Sequence, residues 1–137
     1  MNNLQGFEKF IISQKAVIIQ NDKLLLLAFT NHPGFWDIPG GRIEVGEDPR
    51  ESFKRELQEE LNVDSIQIAG VADADVWYHG ENKIPFCGIV YRVEANLDNF
   101  KISDEHLEYK WISKSEIDDY KYLWPKLGRM LKKAFEK

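Results

Sequence analysis

Residues 41–63 read G-R-I-E-V-G-E-D-P-R-E-S-F-K-R-E-L-Q-E-E-L-N-V, and the rest of the chain is understood from this stretch outward. Asp48 has the character of a helix N-cap, Pro49 suits the first helical position, and Glu51 stands where a capping box needs its acid. Phe53, Leu57 and Leu61 recur every four residues and make an apolar stripe for a core. Asn62 fits a left-handed C-cap. Seven residues of the stretch are acidic, and Glu56, Glu59 and Glu60 crowd the end of the expected helix.

At about 100° per residue, Glu60 falls beside Phe53 at the edge of the stripe, with Ser52, Glu56 and Glu59 on the same flank. The helix dipole is negative at that end, and like charges at i and i+4, here Glu56 and Glu60, repel. Clustered carboxylate oxygens that tolerate this suit a hard cation, Mg²⁺ or Mn²⁺. A solvated acidic helix face is the plain alternative, and E-x-x-E-E alone does not separate the two.

The wider pattern does. Gly41, Glu47, Arg55, Glu56, Leu57, Glu59, Glu60 and Val63 match G-x5-E-x7-R-E-U-x-E-E-x-G-U, where U is aliphatic. This resembles the Nudix box, the signature of the Nudix hydrolases. Asn62 stands where that pattern has glycine; asparagine is the next best residue at positive φ, so the turn is expected to survive.

The resemblance implies a metal-dependent pyrophosphohydrolase that cleaves a nucleoside diphosphate linked to another moiety, with Mg²⁺ as cofactor and Mn²⁺ as a substitute. By the same resemblance, Glu56 and Glu60 are the principal metal ligands, and Glu59 is a further ligand or positions the attacking water. The carbonyl of Gly40, in the W-x-x-P-G-G segment before the box, is another ligand. Arg55 and Glu47 resemble the pair that braces the helix against its preceding loop. Some family members take a general base from a glutamate in a later loop. Glu105 is the candidate here and Glu108 the alternative, with solvated loop acids as the plain reading of both; His106 could donate to phosphate but reads rather as a surface histidine.

Substrate contacts are less legible. Arg42 beside the glycine turn and Tyr78 are the candidates, with Phe35, Trp77 and His79 as other rings that could stack on a base. Trp77 and Tyr78 are neighbours, so on a strand only one of them faces a pocket. Tyr78 stands near the place where a tyrosine marks dinucleoside-polyphosphate hydrolases, which does not suffice to assign that subfamily. A nucleoside triphosphate or a nucleotide sugar is the expected substrate.

The 137 residues, 43% apolar and 30% charged, are expected to form a single domain over residues 1–137 with one substantial core. A net charge of −5 argues against gripping a nucleic-acid polymer, though not against small phosphorylated molecules near a bound cation. Cys87 is the only cysteine, in an apolar strand, so it reads as a core residue and excludes an intramolecular disulfide. The start, M-N-N-L-Q-G-F-E-K-F, has no secretory pattern, and no apolar run approaches a membrane span. A reducing, cytoplasmic setting is the default expectation, and a homodimer is left open.

Along the chain, residues 9–20 read as strand, Asn21 and Asp22 as a turn, and residues 23–29 as a fully covered strand. A short strand is expected over residues 42–45, extended structure with a kink near Gly70 over 64–78, a hairpin turn over 79–83 and a strong strand over 84–95. A polar loop, a short strand over 108–113, a short capped helix and an amphipathic helix over 125–137 follow. Strands, helix, strands, helix imply an α/β fold, and the resemblance specifies a Nudix-type α/β/α sandwich around a central mixed β-sheet. A nucleotide sensor without turnover and an acidic structural domain facing a basic partner are the competing readings. The intact R-E-L-Q-E-E speaks against both.

Overall fold

The computed structural model describes residues 5–136. Residues 1–4 of the N-terminal stretch, and Lys137 at the end of the expected last helix, lie outside the described residues. Helix α1 spans Pro49–Leu61, and Asp48 opens it by accepting hydrogen bonds from the N–H groups of Arg50 and Glu51. The return bond from Glu51 that would complete a capping box is not formed. Asn62 ends the helix in the left-handed region, φ 55°, its N–H donating to the carbonyl of Gln58. Phe53, Leu57 and Leu61 are all buried, each worth about 1.5–3 kcal/mol relative to exposure.

Strands β1 (Ile11–Val17), β2 (Ile19–Gln20) and β3 (Lys23–Phe29) come first, with Asn21 and Asp22 both at positive φ in the hairpin turn. Strands β4 (Phe35–Asp37) and β5 (Gly40–Arg42) precede α1. β5 ends where residues 42–45 were expected to begin one. Gly40, Gly41 and Arg42 pair with β1, Ile43 adds one N–H bond to the Ile12 carbonyl, and the chain then turns as the Glu47 N–H donates to the Glu44 carbonyl. After α1 come the long antiparallel strands β6 (Ile66–His79) and β7 (Ile84–Ala95), then β8 (His106–Ile112). A 3₁₀ helix over Lys114–Asp119, strand β9 (Lys121–Tyr122) and helix α2 (Leu127–Ala134) follow. α2 starts later than the amphipathic pattern because the chain is still turning at Trp124, whose carbonyl accepts from the N–H of Leu127.

The strands form two sheets rather than one. The first is mixed, ordered β5-β1-β7-β6, with β1 and β7 parallel. The second runs β2-β3-β4-β9, with β8 also on β3. Hydrogen bonds from Leu25 N–H to the Ile18 carbonyl and from Ala16 N–H to the Pro39 carbonyl stitch the two. Alternation in β3 decides the layers: Leu25 and Leu27 pack with Phe53, Leu57 and Leu61 of α1, while Leu24 and Leu26 pack with Leu127, Met130 and Leu131 of α2. Helices therefore cover both faces, as an α/β/α sandwich requires. Cys87 is half-buried rather than in the core.

Two details bear on later points. The outer edge of β6 is closed by its own acids: Asp73 accepts from the N–H of Ala74, and Asp75 from that of Val76. Arg92 of β7 donates to the carbonyls of Lys133, Ala134 and Glu136 at the end of α2, and to that of Val71 on β6.

Candidate active site

The glycine pair sets the geometry. Gly40 has φ 143°, and a Cβ there would lie 2.0 Å from the carbonyl oxygen of Gln14, so no other residue lets β5 lie this close on β1. A Cβ on Gly41 would fall 2.6 Å from the carboxyl carbon of Glu56. Without side chains on this turn, α1 lays two carboxylates directly against backbone. Glu56 rests over Gly41, and Oε2 of Glu60 accepts the N–H of Gly40 at 3.0 Å.

Glu60 is only 8% exposed. Burial, with the negative charges of Asp37 and Glu56 adding to it, pushes its carboxyl up to about 8; Lys15 and the Gly40 N–H oppose that rise. Glu56 is raised as well, by burial first and then by Glu59, Glu105 and Glu47, against Arg55. Both groups lean towards the proton-bearing form because negative charge is concentrated where water is scarce.

Gly40, Arg42, Glu56, Glu60 and Glu105 all line one cavity of about 550 Å³. The loop bearing Glu105 is fixed there by the helix it faces. Ser103 N–H donates to the Glu60 carbonyl, Lys101 N–H to the Leu61 carbonyl, and Asn62 Nδ2 to the Asn99 carbonyl at 2.9 Å. These bonds satisfy carbonyls that a helix end leaves without partners. On the other side, Thr30 N–H donates to the Glu105 carbonyl.

Two residues expected at the site are elsewhere. Glu59 is exposed on the outer flank of α1, paired with Arg55 one turn back, at 3.2 Å. Tyr78 is 59% exposed and donates to Glu8 at 2.8 Å. Strand parity explains it: Trp77 and His79 point inward from β6 and Tyr78 outward, so His79, not Tyr78, reaches the cavity. Phe35 belongs to a separate surface hollow, and Glu108 is exposed away from the cavity. Arg55 bridges Glu47 at 2.7 Å and also approaches Glu56 and Glu59, which fixes the preceding loop to the helix as expected.

His106 is not a surface residue. It is 8% exposed, stacked near Phe29, its Nδ1 buried without a partner and its pKa lowered by burial. Residues that sequence reasoning passed over complete the cavity: Lys15 and Asp37, a buried ion pair, and Phe86 and Trp124. The polar run Ser13-Gln14-Lys15 inside a strand flanked by apolar residues was the available signal, and strand alternation puts Ser13 and Lys15 on the same face.

Among the described residues, no three His, Cys, Asp or Glu side chains form a complete cation cage. Glu56 and Glu60 are nevertheless hard oxygen donors side by side. That suits an ion such as Mg²⁺, which is commonly held by one or two carboxylates while water and substrate phosphates fill its other positions.

The NUDIX domain family profile matches residues 12–134. The chain is 30% identical over 125 residues to Nudix hydrolase 25 of Arabidopsis thaliana, covering 73% of this chain and 70% of that one. It is 30% identical over 122 residues to the nucleoside triphosphatase NudI of Salmonella typhimurium, covering 75% and 82%. The crystal structure of a MutT protein from Methanosarcina mazei superimposes with a TM-score of 0.75 at 25% identity, over 93% of this chain and 94% of that one. The chain belongs to the Nudix family of hydrolases, enzymes that open phosphorus-containing acid anhydrides in derivatives of nucleoside diphosphates.

Proposed function

We propose that this protein is a divalent-cation-dependent pyrophosphohydrolase working as a single cytoplasmic domain, with a nucleoside triphosphate or a nucleotide sugar as substrate. The observation that carries the reading is that Glu56 and Glu60 lie against the Gly40–Gly41 turn in a cavity that Glu105 also lines. Glu56 and Glu60 hold the cation, Mg²⁺ or Mn²⁺, with the Gly40 carbonyl as an additional donor. When bound, the ion neutralises anhydride oxygens and lowers the pKa of nearby water.

The chain's own residues do the rest. The Gly40 N–H fixes one Glu60 oxygen and so aims the other. Glu105, held by a loop bonded to both Thr30 and α1, takes the proton from the attacking water. Arg55 holds Glu47 and draws Glu59 outward, so Glu59 acts by orienting Arg55 rather than from within the cavity. Arg42 at the rim meets the phosphate chain.

The test is hydrolysis of nucleoside triphosphates, nucleotide sugars, ADP-ribose and dinucleoside polyphosphates with Mg²⁺, products identified. Glu60→Gln is expected to lower kcat/KM by about a hundredfold or more. Its melting temperature without added metal should not fall, since a neutral amide replaces a carboxyl that burial already keeps largely protonated near neutral pH. Equal turnover by wild type and variant, or full activity in excess chelator, would refute the mechanism.

A further inference from the structure

Beside the acids the same cavity carries a second set of charges, close enough that both act on the Glu60 carboxyl. Lys15 of β1 and Asp37 of β4 form an ion pair at its floor, 8% and 3% exposed. Asp37 is held in place: one oxygen accepts the Ile38 N–H at 2.8 Å and the other faces the Lys15 ammonium. Lys15 lies 5.3 Å from the centre of the Trp124 ring, so its charge rests on an aromatic face and retains N–H donors beyond Asp37.

Such a pair is a poor device for stability alone. Desolvating two charges costs about what their attraction returns, and apolar replacements of similar volume are often neutral or better. Here the pair opens onto a cavity beside flat rings. Phe86 and His79 stand 4.9 Å apart, centre to centre, and Trp124 is packed on Trp77 at 5.0 Å, an approach that Gly88 permits because any Cβ there would strike both indoles. His79 Nδ1 accepts the Trp77 indole N–H at 3.1 Å, which assigns its own proton to Nε2.

We propose that Lys15 and Asp37 read the base of a nucleotide substrate. The ammonium, a donor only, and the carboxylate, an acceptor only, bond an acceptor and a neighbouring N–H on the edge of a nucleobase, whose ring stacks against His79, the ring of this group that is not fully buried. The assignment deepens the hydrolase reading above and rests on it for the other end of the substrate. It selects nucleoside phosphates, with the base rather than a second sugar in the cavity. Because the two groups cannot exchange roles, a base that presents donor and acceptor in the wrong order leaves a buried charge unmatched, and the enzyme discriminates between bases.

The test compares kcat/KM for ATP, GTP, CTP and UTP with Mg²⁺. Wild type is expected to spread these values by tenfold or more. Asp37→Asn, whose amide both donates and accepts, should compress or reorder that spread by about tenfold, chiefly through KM. Removing one charge of a buried pair is itself destabilising, so Lys15→Gln/Asp37→Asn, a neutral hydrogen-bonding pair, is measured in parallel and should lose the same ranking while melting cooperatively. A flat wild-type spread overturns the proposal. So does an unchanged ranking in a folded variant, or an equal loss for all four substrates, which would make the pair a brace or a phosphate clamp. If wild type turns over none of the four, the triphosphate reading fails by itself. Calorimetry with AMP, GMP, CMP and UMP then decides the pair: base-dependent affinity that Asp37→Asn abolishes supports it, and affinity indifferent to the base refutes it.

Discussion

Single residues carry much of what is distinctive in this chain, and His106 is an instructive one. Its ring is buried beside Phe29, and desolvation lowers its pKa from 6.5, although the charges of Asp37 and Glu105 pull the other way and that of Lys15 adds to the fall. The unfolded chain thus binds a proton near pH 6.5 that the folded chain refuses. Stability from this source is complete above that pH and lost as pH falls below it. Melting curves from pH 7.5 to 5.5 should show a smaller loss of Tm for His106→Gln than for wild type; equal slopes would mean the ring accepts its proton in place. Residues also mark the boundary of what the sequence disclosed. The roles of Asp48, Asn62 and Phe53 follow from neighbours within one turn, so they were readable directly. Tyr78 against His79, and the burial of His106 and Lys15, depend on which face a strand turns inward. One residue of register reverses that face.

At the scale of elements, α1 was legible from end to end because its caps and period are local, whereas the pairing of the strands was not. β1 lies parallel to β7 across more than half the chain, and no short-range signal announces such a partner. The same is true of the split into two sheets, which are joined by only a few stitches, at Ile18 and Pro39. The long edge strand β6 illustrates how an element is kept from doing harm. It carries exposed Ile68, Val71, Val76 and Tyr78, yet Asp73 and Asp75 occupy the N–H groups that another strand would need. Lys126 takes the Val76 carbonyl, and Asp75 is also paired with Lys126 and Arg129 of the α2 region. Asp73→Ala/Asp75→Ala should give an apparent mass in sedimentation that climbs with concentration more steeply than that of wild type. Matching curves would show that the acids do not guard the edge.

Across the whole molecule, the two apolar clusters depend on helices made at different times, and α2 is the more exposed to failure. It is short, and it is fastened by Arg92, whose guanidinium gathers three carbonyls at its end, where a cation is favoured. Arg92→Ala should cost about 2 kcal/mol, seen as a fall of several degrees in Tm; a change within half a kilocalorie would mean the clamp is idle. The sequence disclosed the amphipathic stripe of this helix but not its fastener, because an arginine inside a strand looks like any exposed charge until its partner across the fold is known. The clamp also bears on how the protein is made. A nascent chain that has reached Trp124 contains every strand and every acid of the cavity, yet the sheet face awaiting Leu127, Met130 and Leu131 is bare and Arg92 has only the Val71 carbonyl to hold. A chain without α2 would therefore leave that apolar face uncovered, which ties the solubility of the whole molecule to its last and shortest α-helix.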